Sequence, residues 1–179
     1  MAVFCQSLFA ECYNLAILYA KKGKPVSIDK KLESLVGVWK GTNRLHVPWM
    51  PEERLKESDS TATVHSKMNG QFLSVEYTWS FEGEPQEGIL ILGCDPRSDA
   101  VQAVWTDSWH SKDVLMLCNG SIDAEGNISV LGQYAVPEHP DWGWRTEIIR
   151  SSDSFRFNMY NVSPEGTEEI AVETDFRRV

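Results

Sequence analysis

From Leu35 to the C-terminus, runs of alternating apolar and polar residues are separated by turn signals every eight to fifteen residues. The runs are rich in β-branched and aromatic residues, which favour half-buried strands. The connectors are rich in Asn, Asp, Gly and Pro, which supply turn conformations. The pattern predicts ten strands, at 36–46, 56–67, 71–82, 86–94, 100–109, 113–121, 127–135, 142–150, 154–162 and 168–178.

Connectors this short join neighbouring strands as antiparallel hairpins, because a parallel pair needs a long crossover. Consecutive hairpins form an up-and-down meander, whose two edges stay open unless the first strand pairs with the last. The predicted fold is therefore all-β, a closed antiparallel β-barrel of about ten strands. A barrel of this size can be filled by its own side chains or can hold one small ligand. The sequence leaves both arrangements open.

The first 31 residues have a different character. Apolar residues at helical spacing predict an amphipathic helix that ends at Gly23 and Pro25: Phe4, Leu8, Cys12, Leu15 and Tyr19. A second helical turn is predicted from Ser27 or Asp29 to Leu35. We therefore divide the chain into an N-terminal helical extension, residues 1–31, and a barrel domain, residues 32–179. The long helix could be a lid or a homodimer contact, or it could pack on the barrel.

Charge and cysteine usage narrow the class of protein. The net charge of −9 disfavours binding to nucleic acid or to an anionic membrane. Cys5, Cys12, Cys94 and Cys118 lack the spacing of a zinc knuckle or a redox dithiol, so free thiols in a reducing compartment are expected. The apolar N-terminal run has no positive region before it and is interrupted by polar residues, so we expect a cytoplasmic protein without a membrane segment.

Alternation assigns the two faces of each strand. One face of the strands is mostly apolar and is predicted to look into the barrel: Leu73, Val75, Tyr77, Trp79 and Phe81; Val101, Ala103, Trp105, Asp107 and Trp109; Trp142, Trp144, Thr146 and Ile148; Phe155, Phe157 and Met159; Ile170, Val172, Thr174, Phe176 and Arg178. The same parity predicts that Thr106, Ser108 and His110 face outward.

The segment Leu35-Val-Gly-Val-Trp-Lys-Gly41 resembles the first strand of calycin-type barrels, in which a Gly-x-Trp closes the barrel floor. In lipocalins a basic residue near the last strand packs across that Trp. The resemblance therefore implies that Phe176-Arg-Arg178 supplies a residue that covers Trp39, with the first and last strands as neighbours.

A longer set of segments resembles a family of small, mainly bacterial, lipocalin-like proteins whose function is unknown. These segments are Gly88–Pro96, Ala103–Ser108, Gly120–Gly126 and the closing Phe-Arg-Arg. The family pattern has a Gly-Tyr-Asp strand end and a final Tyr-Arg-Arg, and here Cys94 and Phe176 replace the tyrosines. The resemblance covers residues 32–179. It implies the barrel and brings no established activity with it.

Asp107 is the main candidate for chemistry, since the predicted inner face places it between two indoles. A buried carboxylate needs hydrogen-bond partners or takes a raised pKa, which is how a general acid or base is made. Alternatively, Asp107 ends the strand and binds turn amides. Arg145 beside Trp142 and Trp144 could bind an anion at a barrel mouth, or could be solvated on the surface. In the loop 46–54, Trp49 and Met50 are further candidate mouth contacts.

The sequence predicts a binding barrel for a small apolar or aromatic molecule. The predicted ligand contacts are Tyr77, Trp79, Trp105, Trp109 and Trp144, with Asp107 or Arg145 orienting the ligand. One alternative is an isomerase- or cyclase-type enzyme that uses Asp107 as acid/base with help from Glu76 or Arg145. Another is an interaction module with a filled barrel. The four histidines form no metal motif and no cofactor-binding motif is present, so neither metal nor cofactor is expected.

Overall fold

A computed structural model describes residues 30–50, 54–95, 97–111 and 113–179. In it ten antiparallel strands form one closed barrel, in the order β1-β10-β9-β8-β7-β6-β5-β4-β3-β2. The strands are β1 Gly37–His46, β2 Leu55–Lys67, β3 Phe72–Phe81, β4 Glu84–Asp95, β5 Ala100–Asp107, β6 Met116–Ile122, β7 Ile128–Tyr134, β8 Trp142–Arg150, β9 Ser154–Val162 and β10 Glu168–Arg178. The predicted all-β barrel is confirmed, and each strand lies within a few residues of its predicted bounds.

Helical structure is minor in the described residues. The helix α1, Lys30–Glu33, falls within the helical turn predicted before the first strand, and a 3-10 turn at Met68–Gly70 connects β2 to β3. The long helix predicted before Pro25 lies outside the described residues. No helix in the described part of the chain is long and apolar enough to cross a membrane.

The barrel closes where β1 pairs with β10, with Trp39 opposite Arg178 and Gly41 opposite Phe176. The Arg178 guanidinium carbon lies 4.1 Å from the centroid of the Trp39 ring. Arg178 also donates hydrogen bonds to the carbonyl oxygens of Val36 and Ser34. The covering of Trp39 by a basic residue of the last strand is therefore observed. It secures the end of the barrel that adjoins α1.

The barrel interior at the end next to α1 is filled by aromatic side chains. The ring centroids of Trp39 and Phe155 are 5.0 Å apart, and those of Phe155 and Phe176 are 4.9 Å apart. The predicted inner face is confirmed at its buried members: Leu73, Val75, Tyr77, Trp79, Val101, Ala103, Trp105, Asp107, Trp144, Thr146, Ile148, Phe155, Phe157, Met159, Val172, Thr174 and Phe176.

The last strand departs from simple alternation. Its register with β9 shifts between Ile170 and Val172, so that Ile170 lies opposite Tyr160 and Val172 opposite Met159. Ala171 is buried, whereas Ile170 is only partly covered. The prediction that Ile170 shares the inward face with Val172 is wrong, because a β-bulge inserts one residue and resets the alternation. Ala171 takes the inward position instead.

Two of the four predicted free thiols fall within the described residues, and the Cys118 thiol is free. Cys94 is half-buried and Cys118 is buried on β6. Burial raises the pKa of the Cys118 thiol to about 11, which keeps it protonated and unreactive at neutral pH.

Candidate functional site

Asp107 ends β5 and caps the turn that follows it. Its Oδ1 accepts hydrogen bonds from the backbone N–H groups of Trp109 at 2.8 Å and His110 at 2.9 Å. The backbone N–H of Ser111 donates to the Asp107 carbonyl oxygen at 3.2 Å. Asp favours this geometry because its short side chain reaches amides two and three residues further on. The chain therefore leaves the strand direction directly after Asp107.

The turn brings His110 inward over the end of the barrel. Its Nδ1 lies 3.1 Å from Asp107 Oδ1, and its side chain is 14% exposed. Four indoles surround the imidazole, with ring centroids at 4.6 Å for Trp109, 5.2 Å for Trp144, 5.7 Å for Trp79 and 6.0 Å for Trp105. The prediction that His110 faces outward is wrong, because strand parity does not continue past Asp107.

The sequence carries a signal for this turn within the segment 100–109, which alternation predicts to be a strand. Asp107, Ser108 and Ser111 are residue types that cap turns through their side chains. The Ser111 hydroxyl accepts from the Asp107 backbone N–H at 2.7 Å, and the Ser108 hydroxyl accepts from the backbone N–H of Glu87 at 3.0 Å. These residues mark the strand end, but nothing local indicates which way the imidazole then points.

Buried side chains also hold the Asp107 carboxylate through a network of hydrogen bonds. Its Oδ2 accepts from the Tyr77 hydroxyl and from Trp79 Nε1, both at 3.1 Å, and Trp105 Nε1 donates to the Tyr77 hydroxyl at 2.9 Å. With the two turn amides and His110, five donors face one carboxylate. A carboxylate offers about four lone-pair sites, so none is left for a substrate.

The charges in this network follow from its contacts. Burial alone would raise the pKa of Asp107, but the hydrogen bonds from His110 and the turn amides outweigh it, and the pKa is lowered. Burial, together with the nearby Asp107 charge, holds the pKa of Tyr77 well above its ordinary value. Asp107 thus binds turn amides, as in one of the two sequence hypotheses, while staying buried. It is ionised and anchored rather than poised to exchange a proton.

An open cavity of about 1020 Å³ lies at the barrel mouth above this network. Trp105 and Trp144 form its floor as a stacked pair, with ring centroids 5.3 Å apart and planes 20° from parallel. Trp109 and His110 lie on the β5 side, and Leu45 and Ala171 come from β1 and β10 across the barrel. The remaining lining residues are His46, Trp49, Ser111, Val114, Leu115, Met116, Leu117, Asn119, Leu131, Gly132, Gln133, Tyr134, Ala135 and Asn161.

The predicted ligand contacts fall into three groups. Trp105, Trp109 and Trp144 line the cavity. Tyr77, Trp79 and Asp107 lie behind this lining and hold it through their hydrogen bonds. Arg145 is on the outer surface of the barrel, and so is Glu76, which was predicted only as an assisting residue of the alternative enzyme.

Arg145 faces away from the mouth because it follows the inward-facing Trp144, and successive strand residues point to opposite faces. Its Nε donates to Glu168 at 2.8 Å, it pairs with Glu147, and its guanidinium carbon lies 4.0 Å from the centroid of the Tyr160 ring. The predicted role of Arg145 as an anion-binding residue at the mouth is therefore not supported by its position.

Glu76 likewise faces outward, between its neighbours Val75 and Tyr77. Its carboxylate lies 3.6 Å from Lys67 Nζ and accepts a hydrogen bond from the Ser74 hydroxyl at 3.1 Å. Glu76 does not line the mouth cavity. Among the described residues, no three His, Cys, Asp or Glu side chains lie close enough together to hold a metal ion.

Comparisons with known proteins agree with this architecture. A family model described as "Protein of unknown function (DUF1579)" matches residues 24–178. The crystal structure of Rv2717c from M. tuberculosis is similar in fold, with 13% identity, a TM-score of 0.60, and coverage of 86% of this chain and 99% of that one. The S-type phycobiliprotein lyase CPES from Guillardia theta has 12% identity and a TM-score of 0.58, with coverage of 87% and 94%. No curated protein matches the chain in sequence.

Proposed function

The chain belongs to the DUF1579 family of proteins of unknown function, and we propose that this member binds a small, largely apolar or aromatic molecule in the mouth of its barrel. The observation that carries the proposal is the cavity floored by the stacked pair Trp105 and Trp144. Indole rings at the base of an open cavity favour apolar or aromatic ligands, since aromatic rings gain favourable contacts with one another in addition to buried area.

The dimensions and lining of the cavity suit such a ligand. Pockets that bury most of a drug-sized molecule have volumes of roughly 300–1,000 Å³, and this cavity is at the upper end of that range. Its rim also carries apolar side chains that remain largely exposed, with Trp49 at 63%, Val114 at 64% and Leu115 at 65%. Exposed apolar residues grouped around a cavity are typical of binding sites.

The hydrogen bonds that hold the aromatic rings at the base of the cavity also favour ligand binding over a purely structural role. Trp105 is anchored through Tyr77 to Asp107, and the same carboxylate anchors His110. These hydrogen bonds hold the rings in place before a ligand arrives, which reduces the entropy lost on binding. The phycobiliprotein lyase among the similar structures is named for an activity, and at 12% identity its likeness carries the fold alone.

Filling the cavity tests the proposal. We expect at least one compound in a panel of fatty acids, retinoids and aromatic metabolites to quench the tryptophan fluorescence of the protein. Ala171→Trp places an indole in the lining and is expected to weaken that binding about tenfold, or ~1.4 kcal/mol.

Ala100→Trp is the matched control, because Ala100 is exposed at the far end of β5, away from the mouth. This variant should bind as the wild type does. Failure of the whole panel to quench, or unchanged binding by Ala171→Trp, would contradict a ligand site at the mouth.

The Asp107–His110 pair favours a second candidate function, an enzyme of the isomerase or cyclase type acting on the same class of molecule. A carboxylate bonded to one imidazole nitrogen orients the ring and supports proton transfer at the other nitrogen. Since Asp107 is saturated and both Glu76 and Arg145 lie outside the cavity, the proton would move through His110.

Conversion of a bound compound distinguishes the two functions. We expect an enzyme to turn over the molecule that native mass spectrometry identifies in freshly purified protein, and chromatography would detect an isomeric product. At a concentration of the compound that saturates the variant, His110→Phe should then leave it unconverted. If wild type and variant both return it unchanged, the protein is a binder.

The predicted homodimer and the role of residues 1–25 remain predictions.

A further inference from the structure

We propose that the molecule bound at the mouth carries a hydroxyl group, which donates a hydrogen bond to Nε2 of His110 and accepts one from Nε1 of Trp144. This inference rests on the proposed function and specifies the chemical class of its ligand. It comes from two polar atoms on neighbouring rings of the cavity lining, one an acceptor and the other a donor.

His110 provides the acceptor. Asp107 is ionised and can only accept, so the hydrogen bond between Oδ1 and Nδ1 places the imidazole proton on Nδ1. In the neutral ring Nε2 then carries a lone pair and has no proton. Nε2 lies on the opposite side of the ring from Asp107, and no described residue bonds to it. When the ring is neutral, the side of His110 that faces away from Asp107 therefore offers a hydrogen-bond acceptor.

Trp144 provides the donor. Its Nε1 is buried and has no hydrogen-bond partner among the described residues, although the neighbouring indoles of Trp79 and Trp105 each donate one. An indole N–H can only donate, and a buried donor without a partner is costly, so such groups are rare. Trp144 also lines the cavity, and since its Nε1 is fully covered, a small shift of the ring is needed before a ligand atom in the cavity can accept from it.

A hydroxyl group can donate to His110 Nε2 and accept from Trp144 Nε1 at the same time. The ring centroids of His110 and Trp144 are 5.2 Å apart, so one oxygen can lie close to both rings. An ether or ketone would satisfy Trp144 but could not donate to His110. A carboxylate could not donate either, and its charge would lie near ionised Asp107. The remaining floor is apolar indole, so the hydroxyl belongs on a flat apolar body, as in a phenol or a polycyclic alcohol.

Two pyrenes of nearly equal size test this assignment. The dissociation constants of 1-hydroxypyrene and 1-methylpyrene are measured at neutral pH by fluorescence anisotropy of the pyrene. We expect the wild type to bind 1-hydroxypyrene about tenfold more tightly, because a site built to hydrogen-bond a hydroxyl rejects an analogue that lacks it. In an apolar cavity without these partners the methyl compound would bind more tightly, since the hydroxyl would lose its hydrogen bonds to water.

His110→Phe is expected to abolish the preference for the hydroxyl, and Trp144→Phe to reduce it. His65→Phe is the matched control: His65 is exposed on the outside of β2, and its replacement should leave the preference unchanged. Binding of the two pyrenes within twofold of each other by the wild type would overturn the hydroxyl assignment and leave the proposed function standing. An undiminished preference for 1-hydroxypyrene in folded His110→Phe or Trp144→Phe would also overturn the hydroxyl assignment. If the wild type binds neither pyrene and no member of the ligand panel, the proposed function fails.

Discussion

Asp107→Asn is expected to lower the free energy of unfolding by about 3 kcal/mol at neutral pH, since a buried group left without its partner costs about 1–3 kcal/mol and more when a charge was involved. Five donors converge on the Asp107 carboxylate. An amide keeps one accepting oxygen but turns its –NH₂ group toward donors, so at least one buried N–H or O–H loses its acceptor. Urea denaturation followed by tryptophan fluorescence measures the difference.

The same variant should change how stability depends on pH. The pKa of Asp107 is lowered in the folded protein, so the folded state binds this proton less readily than the unfolded chain does. The stabilisation it contributes is therefore present above the unfolded pKa of about 3.9 and is lost as the pH falls through the lower folded value. We expect the wild type to lose stability below about pH 4 more steeply than Asp107→Asn.

Asp95→Asn is the control for the same chemical change at a site whose side chain is 37% exposed. Asp95 lies at the end of β4, where its carboxylate pairs with Arg97 at 3.0 Å in solvent. Exposed ion pairs contribute little, so the neutral-pH stability of this variant should stay close to that of the wild type. Equal stability of Asp107→Asn and Asp95→Asn at neutral pH would show that the buried network does not hold the mouth together.

Gly41→Ala should destabilise the barrel by about 3 kcal/mol or more, because overpacking against immovable atoms exceeds the usual cost of an added methyl group. Gly41 lies on β1 opposite Phe176, at the pairing that closes the barrel. A Cβ there would lie 2.2 Å from the carbonyl oxygen of Asp175 and 2.9 Å from its carbonyl carbon. These backbone atoms can move only if the β1–β10 pairing opens. Thermal and urea denaturation would both report the loss.

Gly143→Ala separates this effect from the general cost of replacing a strand glycine. The atoms nearest to a Cβ at Gly143 are side-chain atoms of Leu131 and Val162, at 3.0 Å, whereas at Gly41 the nearest atom is a backbone oxygen at 2.2 Å. We expect its unfolding free energy to change by less than about 1 kcal/mol. If Gly41→Ala were as mild as Gly143→Ala, the closing pairing would be more adaptable than the register of β1 and β10 implies.

Some features of the site could have been predicted from sequence and others could not. Alternation along β8 separates the inward Trp144 from the outward Arg145, so the closeness of Arg145 to Trp144 in sequence does not place it at the mouth. The bulge at Ile170 has no comparable local signal. The position of His110 required knowledge of where β5 ends and of what the turn packs against. The cavity that His110 borders is formed by residues from β1 and from all the strands β5 to β10.

Strand positions, hairpin connections and the inward apolar face were determined by the sequence alone, because two-residue periodicity and turn chemistry are properties of neighbouring residues. Closure of the meander followed from the need to pair its two edges. Only the tertiary structure decided that Asp107 is ionised while buried, that His110 turns inward, and that space remains above Trp105 and Trp144. Each of these depends on hydrogen bonds and packing between strands distant in the chain, and no local pattern specifies those contacts.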